Sequence, residues 1–403
     1  MSFLPHQVDM KIKSISFENY KAFAEKQTMQ LKPITILIGK NSSGKSSIAK
    51  LFPLLENSLS GLIDEPLLIN NNGVELGAEF RDLVYGKDST PIKFEIEYSD
   101  SKVLEVQVIQ DVLKYDLDIL EWKYDGLNVR YYPTEKAYTD EIGNVFNCKF
   151  KGFIPEEILN YQGVNKIKDT SFDLGIDVDY IGPFRVLPKR QFYLSGKIKF
   201  RDTGIKGENA YSMLGVSKRM DSVLHEKVAT WYEKNFDGWK LEVKDNNPYF
   251  EVSLNKEKAS VNIVDVGQGM NQALPLIVRA NVTDRPDSLI VLEQPELHLH
   301  PAAHGDLAEL FAKSAKENNQ TFVIETHSEN IILRFRKLII ENDFGFTKDD
   351  LVIYSVESGE YSGQALKEIT VDEEGVLSDW PEGVFNENVK EILEMQKALN
   401  SKK

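Results

Sequence analysis

The spacing of apolar and polar residues predicts strands through most of the first third of the chain. Predicted strands lie at 11–17, 28–31, 34–38, 92–99, 103–109 and 117–129. The later three alternate β-branched or aromatic residues with polar ones, which favours an antiparallel β lobe. The apolar residues of 48–55 recur at the spacing of a helix. Residues 133–176 are polar and rich in turn-forming residues, with weak helix signals at 156–161.

The second half of the chain alternates helix-like and strand-like stretches. Predicted helices lie at 207–233, 271–279, 302–316, 328–340 and 386–399. Predicted strands lie at 178–181, 241–264 (two or three strands), 289–292, 321–324 and 351–356. Such alternation is typical of a mostly parallel sheet covered by helices. No sustained heptad pattern occurs between the early helix and residue 266, which argues against a long coiled-coil arm.

These elements predict an α/β fold with a mostly parallel sheet, an antiparallel β lobe and an inserted variable α/β region. We expect four segments along the chain. They are an N-terminal part of the parallel-sheet domain at 1–60, a β-rich lobe with a variable insertion at 61–177, the remainder of the parallel-sheet domain at 178–385, and a C-terminal helix at 386–403.

Composition narrows the function classes. The chain has 403 residues, a formal net charge of −15 and one cysteine, Cys148, so we expect no internal disulfide and a reducing, cytoplasmic setting. No apolar run approaches the roughly 20 residues of a membrane span, and the N-terminus lacks the pattern of a signal peptide. Because the whole surface would repel phosphates, any DNA or RNA contact must come from a local patch.

A glycine-rich turn between a predicted strand and a predicted helix carries the clearest chemistry. It reads Gly39-Lys40-Asn41-Ser42-Ser43-Gly44-Lys45-Ser46, followed by Ser47. This is the G-x-x-x-x-G-K-[ST] spacing of a P-loop, whose backbone N–H groups surround phosphates. We expect Lys45 to reach the outer phosphates of a nucleotide and Ser46 to ligate Mg²⁺.

Three later segments add candidate site residues. The apolar stretch 289–292 leads into Glu293-Gln294-Pro295-Glu296, which delivers a carboxylate where a magnesium ion opposite Ser46 would need one. The stretch 322–324 leads into Glu325-Thr326-His327. Before both, a helix opens on Gly267-Gln268-Gly269-Met270-Asn271. Each signal alone occurs in many folds.

The order of these motifs resembles the ABC-type ATPase heads, in the branch shared by SMC, RecF and the overcoming-lysogenization-defect (OLD) ATPases. The N-terminal segment 15–23 and the stretch Leu297-His298-Leu299-His300-Pro301 also look like that branch. The resemblance covers about 11–60 and 178–385, with a variable lobe between them. It implies ATP and Mg²⁺ as cofactors, and a homodimer, or a higher oligomer, that sandwiches ATP between two heads.

The resemblance also implies roles for individual residues. Lys45 and Ser46 match the P-loop lysine and magnesium ligand, Glu293 the Walker B acid, and His327 the switch histidine at the γ-phosphate. Gly267, Gly269 and Asn271 match the signature loop, which holds the ATP of the other protomer. His300 stands where a D-loop acid is usual, and Tyr20 or Phe23 is placed against adenine.

One position departs from the family pattern. The residue after the Walker B acid, normally a glutamate that polarises the attacking water, is Gln294. An amide cannot accept a proton, although it can orient a water by hydrogen bonding. If 294–296 is extended, Gln294 and Glu296 share a face about 6–7 Å apart, and Glu296 acts through a bridging water. We therefore expect slow hydrolysis and a long-lived ATP state.

Four histidines allow a different interpretation. His298, His300, His304 and His327 cluster in sequence with Glu293 and Glu296, which would suit a zinc hydrolase. The same residues also fit a turn and helix start after the Walker B strand, with Pro301 at the first helical position.

A basic segment interrupts this acidic chain. Residues 184–201 hold six Lys or Arg residues and no acid: Arg185, Lys189, Arg190, Lys197, Lys199 and Arg201. Interleaved aromatic residues make a phosphate-contacting surface for DNA, RNA or the opposing nucleotide one interpretation. A solvated segment paired with acids is the other, and Arg185 is then structural or linked to the nucleotide.

Two functional classes follow from the resemblance. The first is an ATP-switched sensor that works with an effector, such as a nuclease, in bacterial defence against phage. The second is a DNA repair or chromosome-maintenance ATPase of the RecF kind. About 75 residues follow His327, so we expect no Toprim nuclease domain in this sequence. A transporter subunit is disfavoured by the N-terminal strand pattern and the central lobe.

Overall fold

The computed structural model describes residues 12–111, 116–132, 134, 137–160, 172–194, 200–359, 363–380 and 387–400. The strands are β1 (Ile12–Glu18), β2 (Gln27–Gln30), β3 (Ile34–Gly39), β4 (Asn70–Asn71), β5 (Val74–Glu75), β6 (Ile92–Tyr98), β7 (Val103–Gln110), β8 (Leu117–Tyr124), β9 (Leu127–Tyr132), β10 (Ala137–Thr139), β11 (Val145–Lys151), β12 (Ile154–Asn160), β13 (Val178–Ile181), β14 (Phe192–Tyr193), β15 (Lys240–Asn246), β16 (Tyr249–Lys256), β17 (Ala259–Asn262), β18 (Leu289–Glu293), β19 (Thr321–Glu325), β20 (Leu351–Ser358) and β21 (Gln364–Ile369). The α-helices are α1 (Lys45–Ala49), α2 (Leu51–Leu59), α3 (Ala210–Arg219), α4 (Leu224–Asn235), α5 (Gln268–Ala280), α6 (Pro301–Asn318), α7 (Glu329–Glu341) and α8 (Glu387–Asn400).

A mostly parallel sheet forms the centre of the molecule, in the order β13-β18-β19-β3-β20-β21. Neighbouring strands are parallel except for β21, which runs antiparallel to β20. Every residue of β3 and β18 is buried, because both faces of this sheet are covered and the strands read as continuous apolar runs. The predicted fold class is confirmed.

A long antiparallel sheet, β12-β11-β10-β9-β8-β7-β6-β1-β2, accounts for the predicted β lobe. Its strand β6 alternates buried and half-buried residues along its length, as expected for a sheet with one face against a core. Since β1 and β2 pair into this same sheet, it runs across the predicted boundary at residue 60. The four-segment division therefore stays a prediction.

Two apolar cores lie on opposite faces of the parallel sheet. Leu37 and Val291 face the core shared with the antiparallel sheet and α2. Ile36 and Ile290 face the core shared with α5, α6 and α7. Adjacent residues of one strand point to opposite faces, so the same short strands bind both layers together. Hydrogen bonds such as Leu366 N–H to Gln27 Oε1 (2.8 Å) join the two sheets at their edge.

Four predictions of secondary structure were wrong. The predicted strand 117–129 is a hairpin of β8 and β9, with a turn at Asp125 and Gly126. Residues 137–160 form β10 to β12 rather than turns and a weak helix, because their charged residues pair across strands: Lys149 lies 2.6 Å from Glu156. The predicted helix 207–233 is two helices, separated near Asp221, whose φ is +52°. The predicted helix 48–55 is also divided, into α1 and α2.

The described helices include none that is both long and apolar enough to cross a membrane.

Candidate functional site

The P-loop backbone depends on two glycines. Gly39 ends β3 with φ +143°, and a Cβ there would lie 2.8 Å from the carbonyl oxygen of Val356 on β20. Gly44 precedes α1 with φ +105°, and a Cβ there would lie 3.3 Å from the ring of Phe23. Backbone with positive φ and close neighbours suits glycine alone. The loop is thus shaped by the strand beside it and the ring beneath it.

The rings beneath the loop correct one expectation. Tyr20 and Phe23 are fully buried, and the Tyr20 hydroxyl donates a hydrogen bond to the Ser47 carbonyl (2.9 Å). Neither ring has a free face for adenine, so the predicted stacking is wrong. Both residues instead support the P-loop from the core.

The two P-loop side chains with chemical roles already have protein partners. Lys45 Nζ donates to the carbonyl oxygens of Gly39 (3.0 Å) and Lys40 (2.7 Å). Burial lowers the pKa of Lys45, and nearby Glu325 opposes that shift. Ser46 Oγ donates to both carboxylate oxygens of Glu325, at 3.1 and 2.9 Å.

A cavity of about 270 Å³ lies over this loop. It is lined by Asn41, Ser42, Ser43, Gly44, Lys45, Ser46, Ser47, Gln294, Glu325 and His327. The structure therefore brings the P-loop together with Gln294 and His327 from the ends of β18 and β19. Glu293, Glu296 and the predicted signature loop do not line it.

Glu293 lies one strand away from the loop. It ends β18, is 4% exposed, and accepts a 2.6 Å hydrogen bond from the Tyr180 hydroxyl. Burial, with repulsion from Glu325 beside it on β19, raises the pKa of Glu293 to about 7. The carboxylate against Ser46 in this structure is Glu325, and the expected role of Glu293 as the acid opposite Ser46 stays a prediction.

The backbone after β18 turns instead of continuing as a strand. Gln294 has φ +45°, its N–H donates to the Glu325 carbonyl (2.8 Å), and its carbonyl accepts from Leu297 N–H (3.2 Å). The extended geometry assumed for 294–296 is therefore wrong. Glu296 Oε1 instead accepts the backbone N–H of His327 (2.7 Å). Gln294 faces the cavity, whereas Glu296 holds the next loop in place.

His327 reaches the cavity as a neutral imidazole. Burial, and then the positive charge of Lys45, lower its pKa. A neutral ring can donate or accept a hydrogen bond according to its tautomer, which suits contact with a phosphate oxygen or a water.

The predicted signature loop opens α5. Gly267 caps this helix, and together with Gln268 it is exposed, whereas Asn271 is only 3% exposed. A Cβ on Gly269 would lie 2.8 Å from the carbonyl oxygen of His298. Asn271 is therefore too buried to touch a second molecule, and only the start of the loop faces outward.

Two arginines of the basic segment have partners within the protein. Arg185 is buried and donates to the carbonyl oxygens of Glu293 (3.1 Å) and Gln294 (3.0 Å), and burial lowers its pKa to about 10. Arg190 forms a two-pronged ion pair with Asp265 (2.7 and 2.8 Å). These contacts favour the structural interpretation for both arginines.

The structure describes only two of the other four basic residues, Lys189 and Arg201. Arg201 pairs with Glu56 at 2.7 Å, so it too is held by a protein acid. Lys189 is exposed. Lys197 and Lys199 lie outside the described residues, so their predicted nucleic-acid contact stays a prediction.

The histidines that cluster in sequence have different hydrogen-bond partners and do not meet at one point. His304 Nδ1 lies 2.7 Å from Ser328 Oγ and its Nε2 lies 3.2 Å from the Leu299 carbonyl, while His300 Nδ1 accepts the N–H of Ala302 at 3.3 Å. Within the described part of the chain, no three His, Cys, Asp or Glu residues surround a common metal position. The geometry does not support the zinc interpretation.

Sequence reasoning gave Glu325 no role, and it overlooked Tyr180. The signal for Glu325 was present, since β19 is an apolar strand that ends in an acid, as β18 does. Which of two such acids reaches the P-loop depends on the order of strands in the sheet, and that order is a long-range property.

The chain belongs to the AAA ATPase domain family, which matches residues 10–181 and 197–332. The match includes the lobe that we expected to be variable. Residues 347–395 match a second family, described as a protein of unknown function (DUF3696). No curated protein matches the chain.

Solved structures of SMC heads share the fold. One is an Smc head bound to the C-winged helix domain of ScpA, with 13% identity, a TM-score of 0.52, and coverage of 89% of this chain and 98% of that chain. Another is the Pyrococcus furiosus Smc head with an extended coiled coil bound to the C-terminal domain of ScpA. Its identity is 13% and its TM-score 0.51, with coverage of 96% and 100%. The chain is therefore an AAA-type ATPase with the fold of SMC heads.

The residues at the cavity fit ATP with Mg²⁺, the cofactors that such ATPases bind. A hydroxyl and a carboxylate, Ser46 and Glu325, already meet there, and oxygen atoms are the ligands that Mg²⁺ prefers. Lys45 supplies positive charge at the phosphate end. When bound, the ion would neutralise phosphate charge, while Gln294 and His327 contribute hydrogen bonds from the facing wall.

Proposed function

We propose that this protein is an ATP-driven switch that binds MgATP at the P-loop, closes against a second head around it, and hydrolyses it slowly. The observation that carries this proposal is the cavity that joins Lys45 and Ser46 to Gln294 and His327. A loop, two strand ends and a helix start converge on one phosphate-sized space.

Dimerisation follows from the position of the signature loop. Gly267 and Gln268 are exposed and do not line the P-loop cavity of their own protomer. A glycine at a helix start offers free N–H groups to an anion. In the ATPase heads that this chain resembles, the matching loop binds the γ-phosphate of ATP held by a second copy, and we propose the same contact here.

Slow turnover follows from Gln294. Its amide lines the cavity and can orient a water, but it cannot remove a proton. Glu296, the alternative base, is occupied by the backbone of His327 and lies outside the cavity lining. The site thus favours holding ATP over consuming it.

A long-lived ATP state suits signalling to another protein. We propose that the partner is an effector, such as a nuclease, and that the pair acts in defence against phage within the bacterial cytoplasm. Heads of this fold do receive other proteins, since one similar Smc head is bound to a domain of ScpA. The partner would then respond to the closed, ATP-bound dimer.

The fold of SMC heads favours a second candidate, a DNA repair or chromosome-maintenance ATPase. DNA binding that requires ATP and no other protein would support this candidate. A nuclease that copurifies with the chain and becomes active only with ATP would support the first.

The turnover test compares wild type with Gln294→Glu. We expect wild type to bind ATP and to hydrolyse well under one ATP per second at saturation. Gln294→Glu restores a proton acceptor beside the cavity, so we expect its kcat to rise about 100-fold, at the lower end of the effect of general-base catalysis. Steady-state phosphate release, with ATP binding measured in parallel, gives both numbers.

Turnover of many per second in wild type would contradict the slow-switch proposal. A Gln294→Glu protein that binds ATP normally but gains no rate would show that Gln294 does not limit hydrolysis.

A further inference from the structure

Glu325 lies at the end of a strand directly beside the one that leads into the P-loop. It ends β19, the direct neighbour of β3 in the order β18-β19-β3. Its Cα pairs in register with Leu37 of β3, and the N–H of Thr326 donates to the Leu37 carbonyl (3.1 Å). Because β3 runs straight into the P-loop, the Glu325 side chain is delivered directly beneath Ser46.

Glu293 is one strand farther out. Neighbouring strands are about 4.8 Å apart, so the end of β18 lies that much farther from β3 than the end of β19. Glu293 is also held by the Tyr180 hydroxyl at 2.6 Å, whereas Glu325 makes its side-chain contact with Ser46. Glu293 and Glu325 therefore differ in their distance from the P-loop and in their hydrogen-bond partners.

Glu293 and Glu325 form a buried pair of carboxylates that a nearby cation would stabilise. Glu293 and Glu325 are opposite each other across β18 and β19, and they are 4% and 3% exposed. Two buried carboxylates side by side repel each other unless a cation or a proton compensates them. Lys45 is close enough to act on Glu325, but its ammonium group is bonded to loop carbonyls.

We propose that Glu325 is a magnesium-positioning residue of this ATPase, which binds the ion or one of its waters beside Ser46, with Glu293 in support from the next strand. This inference rests on the proposed ATP-binding function. The donor set of hydroxyl, carboxylate and water oxygens matches the preference of Mg²⁺. Magnesium thereby acquires a second acid, from the strand that also carries His327.

The test separates metal binding from hydrolysis. Binding of ATP is measured in EDTA and then at increasing Mg²⁺, and Mn²⁺ binding to the ATP-bound protein is followed by the electron paramagnetic resonance signal of the free ion. We expect Glu325→Gln to raise the metal concentration for half-saturation about 10- to 100-fold, the range seen when residues that orient a metal site are removed. ATP binding in EDTA should not weaken, because the P-loop is intact.

Three further variants serve as controls for Glu325→Gln. Glu121→Gln replaces an acid on β8 of the antiparallel sheet and should leave metal binding unchanged. Glu325→Asp keeps the charge and should recover part of the affinity. An unchanged metal dependence in Glu325→Gln would overturn the inference, as would a loss found in Glu293→Gln alone. If wild type binds no ATP in EDTA or in Mg²⁺, the proposed function itself fails, which is a different result.

Discussion

At the scale of single residues, Gln294 and Glu325 define what the site can do. Gln294 stands at the cavity with φ +45° and an amide in place of a base. Glu325 meets Ser46 from the neighbouring strand. Gln294 provides no proton acceptor where the family pattern has a glutamate. Glu325 adds a carboxylate beside Ser46, where we propose that Mg²⁺ binds. Both features support the proposal of a site that holds MgATP and hydrolyses it slowly.

Glu56 should make the stability of the protein depend on pH, independently of nucleotide binding. Burial raises its pKa to about 7, against hydrogen bonding from Val178 N–H and the charge of Arg201. The folded state then holds this proton up to about pH 7, whereas the unfolded state releases it near pH 4.5. Stability from this group is full at low pH and falls as pH rises through that window.

We therefore expect wild type to lose about 1.4 kcal/mol relative to Glu56→Gln between pH 6 and pH 8, the value of one pKa unit. Urea unfolding at the two pH values measures this difference. Glu97→Gln is the control that should show no such difference, because hydrogen bonds from Lys13 and Ser14 lower the pKa of Glu97 and keep its titration below this pH range. Parallel pH profiles for wild type and Glu56→Gln would contradict the expectation.

At the scale of elements, the connection after β13 links the two halves of the site. Arg185 holds the carbonyl oxygens of Glu293 and Gln294, and Arg190 holds Asp265, just before the signature loop. One short segment thus contacts both the backbone beside the cavity and a residue just before Gly267. A shift of the Gln294 backbone would therefore be transmitted to Gly267 through residues 185–190.

Removal of this link should loosen the signature loop without unfolding the protein. We expect Arg190→Ala to leave the melting temperature nearly unchanged, because the Arg190–Asp265 pair is exposed, and to weaken ATP-dependent dimerisation about two- to five-fold. Faster hydrogen exchange at 264–268 should accompany the loss. The exchanged pair, Arg190→Asp with Asp265→Arg, should restore both, and failure of Arg190→Ala to change either would contradict the link.

Local elements were predictable from sequence, and long-range placement was not. The P-loop was recognisable from an apolar run and two glycines within about ten residues, and β18 and β19 from their own short apolar runs. The contact of Glu325 with Ser46 depends on strand order, and the burial of Tyr20 and Phe23 depends on a sheet formed with distant strands. β10 to β12 were missed because ion pairs across the strands make their sequences look like loops.

At the scale of the whole molecule, two sheets share one apolar core, and helices cover the far face of the parallel sheet. This arrangement leaves the carboxyl ends of β3, β18 and β19 at a common edge, where the cavity lies. Ligands bind at such edges in open α/β sheets. A second head closing over this edge would complete the site with its exposed Gly267.

The most direct test of this account is the mass of the protein in solution with and without MgATP, measured by sedimentation velocity. We expect wild type to be a monomer without nucleotide and a dimer with MgATP, and Lys45→Ala to be a monomer in both conditions because its P-loop no longer holds the phosphates. Wild type whose mass does not respond to MgATP, or a Lys45→Ala protein that dimerises with it, would contradict the account.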